Sequence, residues 1–162
     1  MAPCVTADNE LGEFNSEDFK NQWLVLFFYP LDFTFVCPTE ITQFRDSLAK
    51  FKSKKATVAG ISVDSIFAHK KWIDSDLGPL GFPLISDLKK HIARDYDCYL
   101  ESEGIATRAT FIIDPQGLIQ YANIHNTKVG RDVSEILRVL DALQTGELCG
   151  AGWKQGDKTI EV

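Results

Sequence analysis

A chain of 162 residues, 44% hydrophobic and 25% charged, is long enough to bury a substantial core, so one domain over residues 1–162 is expected. A formal net charge of -6 and a pI near 5.0 argue against nucleic acid or an anionic membrane as the main partner, because both are polyanions. The opening MAPCVTADNELGEF lacks both the basic and the apolar region of a secretory signal, and no apolar run approaches the roughly 18 residues of a membrane span, so a cytoplasmic setting is expected.

In chain order, WLVLFFY (23–29) is a continuous apolar run of strand length, as suits a strand covered on both faces. Ile41, Phe44, Leu48 and Phe51 then recur at helical spacing with Arg45, Lys50 and Lys52 between them, in a helix that begins near Cys37. ATVAGISVD (56–64) reads as a strand, and Ser65 as the N-cap of a short helix carrying Phe67, Lys71, Trp72 and Ile73. After the Gly/Pro-rich DLGPLGFP, a short strand at 84–86 leads into a helix around 89–96. TFIID and LIQYANI flank Asp114-Pro115-Gln116-Gly117, residue types that favour a tight turn and hence a hairpin. Val133, Ile136, Leu137, Leu140 and Leu143 form a helical stripe that Asp132 or Ser134 begins and Gly146 ends. The alternation predicts an α/β chain: a central mixed β-sheet with helices on both faces.

The four cysteines, Cys4, Cys37, Cys98 and Cys149, form no C-x-x-C pair, so neither a zinc site nor a thioredoxin-type dithiol is expected, and no metal or cofactor is called for. His69, His91 and His125 show no ligand spacing and read as structural or surface residues. In a reducing compartment unpaired cysteines are either packing or catalytic. For Cys37 both readings are open. A thiol among aromatic residues is ordinarily packing. At a helix start, however, unpaired N–H groups and the positive dipole end favour the reactive thiolate, and Pro38 has no helical N–H bond to lose there. Thr34 brings a hydroxyl near whatever the sulfur attacks. Pro30, with Phe28, Phe33 and Phe35, is positioned to shield the sulfur from water. Desolvation alone disfavours a thiolate, so a nearby cation is needed.

The stretch FYPLDFTFVCPTE contains the P-x-x-x-T-x-x-C pattern of the peroxiredoxins, and FFYPLDFTFVCPTE resembles in particular the typical two-cysteine, AhpC-like group of that family. VDSIFAHKKW, FPLISD, ARDYDC, TRATFIID, VGRDVSE and ELCGAGWKQGD resemble further blocks of it, over nearly the whole chain. The resemblance implies a thioredoxin-like fold and a thiol peroxidase that reduces hydrogen peroxide and organic hydroperoxides. Cys37 would be the peroxidatic nucleophile, attacking one peroxide oxygen as a thiolate and becoming a sulfenic acid. Thr34 and Arg108 would hold the peroxide, and Arg108 would supply the cation. Glu40 and Arg131 would orient that arginine through ion pairs. Cys149, in a C-terminal tail over 146–162, would be the resolving cysteine, forming an interchain disulfide with Cys37 of a partner subunit. A thioredoxin-like or AhpF-like protein would reduce that disulfide, and the homodimers would assemble into a decameric ring.

Cα atoms joined by a disulfide lie within about 7 Å, so a Cys37 held in a helix implies local unwinding before the disulfide forms. Ser75-Asp76-Leu77-Gly78 stands where easily inactivated eukaryotic members carry Gly-Gly-Leu-Gly, and the chain ends without their C-terminal Tyr-Phe helix, so resistance to peroxide inactivation is expected. Gly150 stands where the family usually has proline. Cys4 is expected near a mobile terminus, open to adventitious disulfides. Cys98, after Asp95, Tyr96 and Asp97, is expected to be inert. The rival readings are a cysteine hydrolase, which would need a histidine beside Cys37, and a peroxide sensor or holdase chaperone on the same ring-forming scaffold.

Overall fold

The computed structural model describes all residues 1–162. Its strands are β1 (Ala2–Val5), β2 (Leu11–Phe14), β3 (Trp23–Phe28), β4 (Ala56–Ser62), β5 (Leu84–Ser86), β6 (Tyr99–Leu100), β7 (Ile105–Ala106), β8 (Arg108–Ile113) and β9 (Ile119–His125). Its α-helices are α1 (Cys37–Asp46), α2 (Leu48–Ser53), α3 (Ile66–Trp72), α4 (His91–Asp95) and α5 (Val133–Thr145). Seven strands form one sheet in the order β2-β1-β5-β4-β3-β8-β9, and β6 pairs with β7 in a separate ribbon. β3, β4 and β5 run parallel, while β8, β9, β1 and β2 each join antiparallel, so the sheet is mixed as expected. No helix is long and apolar enough to cross a membrane.

β3 shows why the apolar run is continuous. Successive side chains of a strand point to opposite faces. Val25, Phe27 and, just beyond the strand, Tyr29 enter a core shared with α1, α2, α3 and α5, while Leu24, Leu26 and Phe28 enter a second core under α4. Phe27 stacks on Phe44 of α1 with ring centroids 4.1 Å apart, and this contact fixes α1 over the C-terminal end of β3. Gly60 of β4 lies opposite Phe27 in the ladder, and a Cβ there would come within 2.7 Å of both Phe27 and Leu84, so glycine makes room for the ring.

The caps expected from sequence form. Ser65 accepts from the Ala68 N–H, Asp132 accepts from the Ser134 N–H, and Gly146 ends α5 at φ 69°. The Asp114 turn joins β8 to β9, with the Asp114 carboxylate accepting from the N–H groups of Gln116 and Leu118.

Several details differ from the sequence reading. The helix expected across Ile41 to Phe51 is two helices broken at Ser47, and both halves bury the same stripe. α3 continues into a π-helical turn at Ile73–Leu77 that closes at Gly78, φ 70°. The β1–β2 hairpin is an addition to the expected order, and it corrects the picture of Cys4. That residue sits inside β1, opposite Gly12 and Ile85, and is 1% exposed, so it is a core thiol rather than a mobile one.

Candidate active site

Cys37 is the first residue of α1, with Pro38 following it inside the first turn. It has no exposed surface, and its neighbours in that core include Tyr29, Ile41 and Phe27. The helix places Glu40 one turn later on the same inward side, 2% exposed.

The cation arrives from the sheet. In β8, Ala109 and Phe111 face the α4 core, so the alternate residues Arg108 and Thr110 face α1. Arg108 Nη1 lies 3.3 Å from Cys37 Sγ and also donates to Glu40 Oε2, while Nε donates to the Thr127 carbonyl at 2.8 Å. Nη2 makes no hydrogen bond within the chain.

Arg131 comes from the loop after β9. Its backbone N–H and Nε donate to Glu40 Oε1 at 3.1 and 2.8 Å. Nη1 donates to the Ala109 carbonyl and Thr110 Oγ1, and Nη2 to the Phe28 carbonyl, so the guanidinium stitches β3, β8 and α1 together above the Phe27 ring. Burial pulls the Arg131 guanidinium down from its ordinary value, and the Glu40 carboxylate opposes that shift. Glu40, Arg108 and Arg131 are all buried, and one carboxylate against two guanidiniums leaves one positive charge. That charge lies against the Cys37 sulfur, 3.3 Å from Arg108 Nη1.

Pro30 is buried just after β3. Thr34 is half-buried, and its hydroxyl donates to the Leu31 carbonyl at 2.9 Å rather than to Cys37. The aromatic shield expected from sequence is only partly present. Phe28 points to the opposite face of the sheet by strand alternation, and Phe35 is 95% exposed, so neither covers the sulfur. Phe33 bends back at φ 54° and packs on Trp72, ring centroids 5.6 Å apart.

Beneath this loop lies a polar network that the sequence reading missed. Asp32 accepts from the Tyr29 hydroxyl at 2.8 Å and sits 2.7 Å from His69 Nδ1, while its N–H donates to Asp64. His69 Nε2 faces the Ile85 carbonyl at 3.2 Å. Burial first, and the Asp32 charge next, push the Tyr29 phenol well above its ordinary value. The one available signal was Asp32 itself, a lone acid in an aromatic run. The network ties the Thr34 loop to β3, α3, β5 and the end of β4. His69 is thereby structural, and no histidine contacts Cys37, which removes the pairing a cysteine hydrolase needs.

Cys149 lies beyond α5, in residues 146–162, which carry no further helix or strand. It is half-buried, with Sγ 3.4 Å from Thr145 Oγ1 and 3.8 Å from the Ala142 carbonyl, and it makes no contact with the Cys37 cluster by hydrogen bonding. Arg138 holds the same tail by donating to the Trp153 carbonyl at 2.8 Å. Cys98 is 2% exposed in the α4 core, where burial, with Asp87 and then Asp97, pushes its thiol up to about 12. It therefore stays protonated at neutral pH, in keeping with an inert role.

The site thus joins a helix-start thiol to a fixed guanidinium, without a histidine base, on a sheet of thioredoxin-like type. The AhpC/TSA family model matches residues 1–122. The mitochondrial thioredoxin-dependent peroxide reductase of Drosophila melanogaster is 48% identical over 98% of this chain and 71% of its own length. The chloroplastic 2-cysteine peroxiredoxin of Chattonella marina var. antiqua is 46% identical over 99% of this chain and 89% of its own. The crystal structure of the reduced 2-Cys peroxiredoxin of Plasmodium vivax superposes with a TM-score of 0.94 at 36% identity, covering 98% of this chain and 86% of that one. The chain belongs to the AhpC/TSA family, as a typical two-cysteine peroxiredoxin, and is a thiol peroxidase.

Proposed function

We propose that the protein reduces hydrogen peroxide and organic hydroperoxides through Cys37, with Cys149 of a partner subunit as the resolving thiol. The observation that carries this reading is the guanidinium of Arg108 against Cys37 Sγ, with one terminal nitrogen making no hydrogen bond within the chain. The thiolate attacks one peroxide oxygen, the O–O bond breaks, and the other oxygen leaves as water or an alcohol after taking a proton. Cys37 becomes a sulfenic acid. Arg108 stabilises the charge on the leaving oxygen, and Thr34 accepts from the peroxide, its own proton being committed to Leu31. Replacing Arg108 by methionine, of similar reach and no charge, is expected to lower the second-order rate of Cys37 oxidation about 100- to 1,000-fold. A stopped-flow rate within threefold of the original would remove Arg108 from the mechanism.

In the second step the Cys149 thiol attacks the Cys37 sulfenic sulfur, the S–S bond forms and water leaves. Cys37 has no exposed surface in its helical turn, so the start of α1 must unwind to meet a partner's tail. Two such disulfides join a head-to-tail homodimer, and a thioredoxin-like or AhpF-like dithiol protein returns them to thiols by exchange. Exposed Phe33, Phe35 and Phe67 give apolar surface for assembly of dimers into a ring. After one equivalent of peroxide, non-reducing electrophoresis should show a covalent dimer that Cys149→Ser abolishes. A dimer that persists in Cys149→Ser would assign the crosslink to another thiol.

A further inference from the structure

Arg108 acts on Cys37 only while its guanidinium is held in one plane, and Nε is one of its two anchors. Nε donates to the Thr127 carbonyl at 2.8 Å, and Nη1 is shared between Glu40 and the Cys37 sulfur. The Thr127 carbonyl is aimed by a turn that Asn126 closes twice. Asn126 Oδ1 accepts from the Lys128 N–H at 2.9 Å, and the Asn126 carbonyl accepts from the Val129 N–H at 2.9 Å. The same strand of loop then passes against the start of α1. A Cβ on Gly130 would lie 3.4 Å from Val36 Cγ1 and 3.7 Å from Glu40 Cγ, and the next residue, Arg131, donates its N–H to Glu40.

We propose that Asn126 is a positioning residue for the peroxide step: its side chain fixes the turn whose Thr127 carbonyl orients Arg108 toward Cys37. This rests on the function proposed above. Without the Asx turn the Thr127 carbonyl is free to swing. The guanidinium then keeps its pairing with Glu40 but rotates about it, and the nitrogen facing the sulfur and the one left for the peroxide both lose their aim. Asn126 is itself exposed and contacts neither Cys37 nor Glu40 by hydrogen bonding, so its influence runs through Thr127 and Arg108.

The test is single-turnover oxidation by hydrogen peroxide, with sulfenic acid formation and disulfide formation timed separately. Asn126→Ala should slow the first step about three- to tenfold, the effect of one well-placed hydrogen bond, and leave the second step unchanged. Asn126→Asp keeps an accepting oxygen and should restore the first step to within about twofold. A merely structural role would instead lower the urea midpoint and slow both steps together. The inference is overturned if Asn126→Ala oxidises at the original rate, or if Asn126→Asp does not restore the loss. Failure of the underlying function would look different: in the unaltered protein peroxide would not oxidise Cys37 at all.

Discussion

Cys37→Ser is expected to lose peroxide turnover down to the uncatalysed background, while Cys4→Ser and Cys98→Ser keep it. Serine leaves the helix start and its contacts nearly unchanged in volume, so the loss isolates the chemistry of sulfur. A hydroxyl beside Arg108 is still a hydroxyl at neutral pH, and it is a poor nucleophile without a base, which this site lacks. Neither of the other core thiols is placed to substitute. Cys98 sits on the far face of the sheet with its thiol pushed up to about 12, and burial followed by the Glu13 charge raises the Cys4 thiol as well. Coupled consumption of hydrogen peroxide with a dithiol reductant measures this directly.

The second large effect concerns Glu40. Its two oxygens hold Arg108 and Arg131 apart and neutralise both partly, and all three side chains lie at 4% exposure or less. Glu40→Ala leaves two guanidiniums buried near each other with no carboxylate between them. Breaking a buried ion pair from one side costs about 3–5 kcal/mol, because the remaining charge is uncompensated. Urea denaturation should show a loss of that order, together with slower peroxide oxidation as Arg108 loses its anchor. Glu40→Gln keeps the volume and one accepting oxygen, so it should fall between the two. A Glu40→Ala protein within about 0.5 kcal/mol of the original would mean that the cluster contributes little to the fold.

These effects come from residues with very different visibility in the sequence. Cys37 and Glu40 are three apart on a helix that the spacing of Ile41 and Phe44 announces, but the ion-pairing role of Glu40 was placed only through the family resemblance. Arg108 and Arg131 were placed only through the family resemblance. Their approach to Glu40 depends on β8 pairing with β3 and on the loop after β9, neither of which leaves a local trace. The break at Ser47 was invisible for a related reason: α1 and α2 bury one continuous stripe, and spacing reports the stripe rather than the backbone under it.

Short strands fared worst. APCV and LGEF become β1 and β2 because they pair with each other and β1 also pairs with β5, a contact remote in sequence. Strand alternation also explains the misread aromatic shield. FFYPLDFTF is mostly apolar, yet Phe27 and Phe28 face opposite cores and Phe35 faces solvent. The composition of that run was legible, but the side each residue faces was not. The Thr127 carbonyl, being backbone, carries no residue-type signal at all.

The central claim is that peroxide oxidises the sulfur held against Arg108. It is tested most directly by treating Cys149→Ser, which cannot resolve the intermediate, with one equivalent of hydrogen peroxide in the presence of a cyclic 1,3-dione that traps sulfenic acids. Peptide mass spectrometry should place one adduct, on Cys37. An adduct on Cys4 or Cys98, or none on Cys37 while peroxide is consumed, would contradict the account.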